Sequence, residues 1–180
     1  MRIISGKLKG KSIFFLKTLS TRPLKDSVKE NIFNILVHSN LINISLTKSN
    51  ILDLYSGIGS FGLEALSRGA KKVTFIEKDK NVTKFLKKNL AELSLKDKSE
   101  VIEDEIQNGL KRNNLNKYDL FFLDPPFSNK EFILNLKTIK KQNYYKKKHL
   151  IIIHRERNTI DELSKDLYIL LEKNYGRSKI

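Results

Sequence analysis

The sequence predicts an α/β fold built on one mostly parallel sheet with helices on both faces. Three observations predict it: short apolar runs alternate with amphipathic segments from Asn50 onward, a glycine-rich turn follows the first run, and an acidic residue ends the second. The apolar runs are residues 51–55, 72–77, 100–102, 118–123 and 150–153. Between them, helices are expected over residues 60–68, 81–93, 106–112 and 131–139. In the second of these, Val82, Phe85, Leu86, Leu90 and Leu93 recur every three or four residues, the spacing of a helix packed on a sheet. Ahead of this array, residues 2–4 and 11–15 read as two short strands turned by Gly6 and Gly10, a basic hairpin. Val28, Ile32, Ile35 and Leu36 then mark one face of a helix ending near His38, with Asp26 at its start. Residues 1–48 are thus an arm of the same domain and residues 49–180 its core. Residues 167–171 followed by 174–180 read as a terminal hairpin whose second strand stops abruptly.

The 35 Lys+Arg against 20 Asp+Glu give a formal charge of +15, which suits a polyanionic partner such as nucleic acid. A chain rich in lysine, asparagine and isoleucine also bears the mark of an A/T-rich genome, so charge alone does not decide the partner. No apolar run is long enough for a membrane span or a signal peptide, and there is no cysteine for disulfides or thiolate metal sites. His38, His149 and His154 are too scattered for a metal centre and are assigned to surface or strand-end packing. A cytoplasmic, monomeric, metal-free protein is expected.

Residues Asp53-Leu54-Tyr55-Ser56-Gly57-Ile58-Gly59-Ser60-Phe61-Gly62 join the first core strand to a helix, and Gly57, Gly59 and Gly62 satisfy G-x-G-x-x-G. Glycines here let the backbone approach a cofactor at a helix N-terminus. Glu77 ends the second strand, where a carboxylate accepts hydrogen bonds from ribose hydroxyls. Nicotinamide, flavin and methyl-transfer proteins share this much. Asp53 separates them: a carboxylate just before the glycines suits an ammonium or a sulfonium and repels a pyrophosphate. Tyr55 belongs to the same stretch, and Glu105, with Asp104 as its competitor, is placed to accept a hydrogen bond from an adenine amino group.

The fourth strand delivers Asp124-Pro125-Pro126-Phe127 to the carboxyl edge of the sheet, the edge at which open α/β sheets bind ligands. Two prolines stiffen the backbone and remove N–H donors, so the turn offers carbonyl oxygens beside a carboxylate. An aromatic amine is a poor nucleophile because its lone pair is delocalised. Methylating one requires acceptors to hold its N–H bonds while the lone pair faces the methyl donor. Asp124 and the Pro125 carbonyl supply the acceptors, and Phe127 supplies a face on which a base can stack.

Taken together, Asp53 to Gly62, Glu77 and Asp124 to Phe127 resemble the motifs of amino-methyltransferases with the Rossmann-like class I methyltransferase fold. The whole chain resembles the bacterial 16S ribosomal RNA guanine-N(2) methyltransferase family, RsmD. The resemblance includes Met1-Arg2-Ile3-Ile4-Ser5-Gly6 with Gly10, then Arg22-Pro23, Asp26, Val28, Glu30, Phe33 and Asn34, then residues 62–70, and Tyr175-Gly176-Arg177. It implies a seven-stranded sheet with a terminal antiparallel hairpin, S-adenosylmethionine as donor with S-adenosylhomocysteine as product, and a guanine 2-amino group of 16S rRNA or the assembling small subunit as acceptor. Departures from the family pattern are Ile58 between two glycines, Glu105 at the adenine position, His154-Arg155 after the fifth strand, and a shortened last strand. Arg2, Lys7, Lys9 and Lys11 of the hairpin, with Arg22, are then candidates for gripping RNA phosphates near the site. Arg22 has an alternative as a helix-entry ion pair with Asp26 or Glu30.

Other functions remain open on these residues. A methyltransferase acting on DNA adenine or protein glutamine would use the same acceptor turn. A nicotinamide oxidoreductase would use the glycines and Glu77 but leave the Asp-Pro-Pro-Phe turn idle, and a non-catalytic RNA-binding module would need neither.

Overall fold

The computed structural model describes residues 1–15, 24–112, 115–165 and 167–180. Among these, α1 (Asp26–His38) precedes β1 (Asn50–Leu54), α2 (Ser60–Ser67), β2 (Lys72–Glu77), α3 (Lys80–Glu92), β3 (Ser99–Glu103), α4 (Ile106–Leu110), β4 (Tyr118–Leu123), α5 (Phe132–Lys141) and β5 (Tyr145–Ile153). The five strands form one parallel sheet in the order β3-β2-β1-β4-β5. The chain order reverses between β1 and β4, so a crevice opens at their carboxyl ends.

Alternation along each strand sorts side chains onto two faces. Ile51, Val73, Phe75, Leu120 and Phe122 pack in one apolar cluster with Phe33 of α1, Phe61 of α2 and Leu86 of α3. Leu52, Leu54, Ile76, Phe121 and Leu123 pack in a second with Ile106 and Leu110 of α4 and Phe132, Leu136 and Ile139 of α5. Helices therefore cover both faces, which is why the central strands are apolar throughout rather than alternating in polarity.

The expected seven-stranded sheet is corrected to five strands plus a separate antiparallel sheet of β6 (Arg155–Glu156), β8 (Ser178–Lys179) and β7 (Asn174–Tyr175), in that order. Of the expected terminal hairpin, only β7 and β8 form it, around Gly176 with φ +58°. Residues 167–171 are not a strand; Tyr168 and Ile169 stand exposed. The fifth strand begins earlier than expected, at Tyr145, because Lys146, Lys147 and Lys148 lie on it. Lysines are tolerated there because β5 is an edge strand.

In the N-terminal hairpin Arg2 and Ser12 form an antiparallel bridge, with backbone bonds from the Ile3 N–H to the Lys11 carbonyl at 2.9 Å, the Gly10 N–H to the Ile3 carbonyl at 2.9 Å and the Ile13 N–H to the Met1 carbonyl at 3.0 Å. Side chains of α2, α3 and α1 hold it in place. The Glu64 side chain, fully buried, accepts from the N–H of Ile4 at 2.7 Å and of Ser5 at 2.9 Å and pairs with Arg68 at 2.7 Å. Asn89 of α3 accepts from the N–H of Phe14 at 2.8 Å and donates to its carbonyl at 3.0 Å, which brings Phe15 to the crevice. Lys29 of α1 is also fully buried; its Nζ lies 3.1 Å from the Arg2 carbonyl, 3.3 Å from Ser60 Oγ and 3.3 Å from Asp26. Asp26 sits in the first turn of α1, whose N-cap is Lys25.

Candidate active site

A cavity of about 710 Å³ opens at the carboxyl ends of β1, β2 and β4, within the size range of small-molecule sites. Asp53, Tyr55, Gly57, Glu77, Glu105 and all four residues of the Asp124 to Phe127 turn line it.

On the β1–β2 side, backbone amides shape the wall. Glu77 accepts from the N–H of Gly57 and of Asp79, each at 2.9 Å, which fixes its carboxylate while leaving further lone pairs for a ligand. Asp53 is buried; Oδ2 accepts from the Gly62 N–H at 3.0 Å, and Oδ1 has no partner among the described residues. Burial pushes the Asp53 carboxyl well above the usual carboxylate range, the Gly62 N–H opposes this, and the charges of Asp124 and Glu77 raise it further. An ammonium or sulfonium beside Oδ1 would relieve this desolvation. Tyr55, at φ +58°, turns the chain into the glycine loop, and its hydroxyl accepts from Asn135 at 2.6 Å; burial pushes that phenol up to about 12.

The three glycines divide their work. A Cβ on Gly57 would meet nothing within 4 Å, so the backbone faces open cavity there. Gly59 and Gly62 lie behind the cavity wall rather than on it. A Cβ on Gly59 would lie 2.4 Å from Leu86, and one on Gly62 2.3 Å from Phe75, so these glycines let α2 sit close against β2 and α3. Glu105 lines the cavity and pairs with Lys78 at 3.3 Å, whereas Asp104 is turned to local work, accepting from the N–H of Glu105 at 2.8 Å and from Asn108 and Arg112.

On the β4 side, Asp124 Oδ1 lies 2.7 Å from His154 Nδ1, a contact the sequence reasoning missed when it set all three histidines aside. Arg155, also buried, donates to the Pro126 carbonyl at 3.2 Å and the Phe127 carbonyl at 3.0 Å, and pairs with Asp161 at 2.9 Å. The one available signal was that His154-Arg155 departs from the family pattern directly after a core strand. Arg155 thus engages the Pro126 and Phe127 carbonyls and leaves the Asp124 carboxylate and the Pro125 carbonyl to other partners.

The basic candidates of the N-terminal segment, Arg2, Lys7, Lys9 and Lys11, are all exposed. The Lys7 N–H donates to the Ser67 carbonyl at the far end of α2 from the cavity-lining Ser60, and those eight residues span about 12 Å at helical rise. The Arg2 backbone lies at the near end, its carbonyl sharing the Lys29 Nζ with Ser60 Oγ. Arg22 lies outside the described residues. Among the described residues, no group of three or more His, Cys, Asp or Glu is arranged to hold a metal ion, and no helix is long and apolar enough to cross a membrane.

A parallel sheet with this crossover, a carboxylate before a glycine turn and an Asp-Pro-Pro-Phe turn on the same carboxyl edge define the class I methyltransferase fold. The chain overlays on the solved structure of a candidate methyltransferase from Escherichia coli with a TM-score of 0.83, at 28% identity, over 99% of this chain and 94% of that one. It overlays on a candidate methylase from Haemophilus influenzae with a TM-score of 0.78, at 35% identity, over 99% and 94%. The family profile described as "Conserved hypothetical protein 95" matches residues 1–180. The ribosomal RNA small subunit methyltransferase D of Haemophilus influenzae is 36% identical over 178 residues, covering 98% of this chain and 89% of the relative. The protein of that name from Buchnera aphidicola (Baizongia pistaciae) is 37% identical over 163 residues, covering 91% and 79%. The chain belongs to this family, Conserved hypothetical protein 95, together with the small subunit methyltransferase D proteins.

Proposed function

We propose that this protein methylates small-subunit ribosomal RNA with S-adenosylmethionine as donor, and that the acceptor is the exocyclic 2-amino group of a guanine. The observation that carries the reading is the arrangement of two kinds of acceptor around one cavity. Asp53 and Glu77 suit a cationic nucleoside, and Asp124 with the Pro125 carbonyl suits an amine. The names and the high coverage of the relatives support the RNA class, and the charge of +15 is consistent with it.

The donor fits the residues present. The unpartnered, buried Asp53 Oδ1 takes an ammonium, Glu77 takes the ribose hydroxyls across the open face of Gly57, and Glu105 takes the adenine amino group. When bound, the donor supplies an electrophilic methyl group. The chain's own residues do the rest: Asp124 and the Pro125 carbonyl accept hydrogen bonds from the two N–H groups of the amine, Phe127 stacks on the extruded base, proximity takes the place of a strong base, and the proton the amine sheds on gaining the methyl leaves by way of the Asp124 carboxylate to solvent. Every residue in this account lines the same cavity.

The test is transfer of radiolabelled methyl from S-adenosylmethionine to small-subunit RNA, or to subunits from a strain lacking this enzyme, followed by nucleoside digestion. Labelled N(2)-methylguanosine is expected. Label on adenine, DNA or protein overturns the target, and no transfer to any of these overturns the activity.

A further inference from the structure

The dipeptide His154-Arg155 stands where the chain leaves β5 for the small antiparallel sheet, beside the acceptor turn. Arg155 secures the backbone of that turn. His154 acts on the carboxylate. Its Nδ1 is 2.7 Å from Asp124 Oδ1, its own N–H donates to the Leu123 carbonyl at 2.9 Å, and its ring stands edge-on to Phe127 with centroids 5.7 Å apart. The residue is held at its backbone and at two points of its ring.

The two ring nitrogens sit in unequal surroundings. Nε2 is buried without a partner among the described residues. A proton there would be an N–H donor with no acceptor, a costly arrangement, whereas a proton on Nδ1 meets a carboxylate. The surroundings therefore favour a proton on Nδ1, donated to Oδ1, over one on Nε2. The terminal torsion of an aspartate is otherwise broad, so an unheld carboxylate samples many orientations.

We infer that His154 is a positioning residue: it fixes the Asp124 carboxylate through Oδ1 so that Oδ2 is the oxygen presented to the acceptor amine. This rests on the methyl-transfer reading of the cavity. Of the other charged groups near the pair, Arg155 is paired with Asp161, and Asp53, whose carboxyl feels the charge of Asp124, is bonded through Oδ2 to the Gly62 N–H.

The experiment compares wild type with His154→Leu and His154→Asn in steady-state methyl transfer to small-subunit RNA, with thermal melts alongside. His154→Leu is expected to lower kcat about 100-fold, the scale of a misplaced reacting group, with KM for S-adenosylmethionine and for RNA changed less than about threefold. His154→Asn keeps an N–H donor close to the Nδ1 position and is expected to recover most of that loss. In ¹⁵N spectra of labelled imidazole, wild-type Nδ1 should be the protonated nitrogen and Nε2 the bare one. The inference is overturned by a Leu variant with wild-type kcat, by an Asn variant no better than Leu at equal melting temperature, or by the opposite tautomer. An active wild type with any of these outcomes sinks the inference alone; an inactive wild type sinks the methyl-transfer reading beneath it.

Discussion

The two halves of the crevice are built by different means. On the β1–β2 side each key carboxylate is held by backbone N–H groups close in sequence: Gly62, nine residues after Asp53, and Gly57, twenty residues before Glu77. On the β4 side the acceptor turn is held by side chains that arrive after another helix and strand, His154 being thirty residues beyond Asp124. An amide is present at every non-proline position, so side-chain type and spacing suffice to foresee the first kind of contact. A side-chain clamp is invisible until the fold brings it round.

The largest effect that could break this division is a functional one. Asp124→Ala should lower turnover on the order of 1000-fold, the cost of losing a preorganised polar group, while leaving S-adenosylmethionine affinity within a few-fold. Asp53→Ala should do the converse at the binding step. Calorimetric titration of both variants with S-adenosylmethionine, beside single-turnover methyl transfer, checks this; equal loss of affinity in both would mean that the halves are not separate.

Next in size is the stability of the side-chain clamp. Arg155→Ala strips Asp161, itself buried, of its counter-charge and deprives two turn carbonyls of a donor. Breaking a buried pair from one side costs about 3–5 kcal/mol, so urea unfolding should shift by that much. A shift below about 1 kcal/mol would show that the turn is held by its prolines alone.

The contrast also explains what was legible. Strands β2 and β4 have the bounds their apolar runs announce, because both are central and buried on two faces. The start of β5 is hidden in Tyr145-Lys146-Lys147-Lys148-His149, a basic stretch in which Tyr145 pairs with Tyr118 and the register then shifts before Leu150 pairs with Leu120. The terminal region was overread: the apolar run at 167–171 looked like a strand, but a run of that length does not show whether it pairs or packs, and β7 and β8 need only Gly176 to turn. At the site, Asp53, Glu77 and Asp124 were found by position relative to strands. Gly59 and Gly62 stand out as a motif, and the structure adds that each lies in close packing, against Leu86 and Phe75 respectively.

That packing role yields a smaller effect. Gly62→Ala sets a methyl 2.3 Å from the Phe75 ring, and overpacking of this kind costs about 1–3 kcal/mol. Gly57→Ala meets no atom and strains only its φ of +54°, about 1–2 kcal/mol, but places the methyl at the cavity wall. Thermal melts with and without S-adenosylmethionine separate them: Gly62→Ala should melt lower with the ligand-induced shift retained, whereas Gly57→Ala should lose much of that shift.

The smallest effect concerns the exposed tip around Lys7 and Lys9, attached at the far end of α2 from the cavity-lining Ser60. If these lysines contact phosphates of an RNA that extends past the crevice, replacing each by glutamine removes one ion contact and releases fewer counterions. The slope of log affinity against log salt should fall by about 0.7–0.9 per lysine, depending on whether the contacted strand is single or paired. Because neither side chain lines the cavity, kcat at saturating RNA should be unchanged. A drop in kcat would mean that the tip reaches the reacting base after all, against its attachment at Ser67; an unchanged slope would assign RNA binding to other lysines of this strongly basic chain.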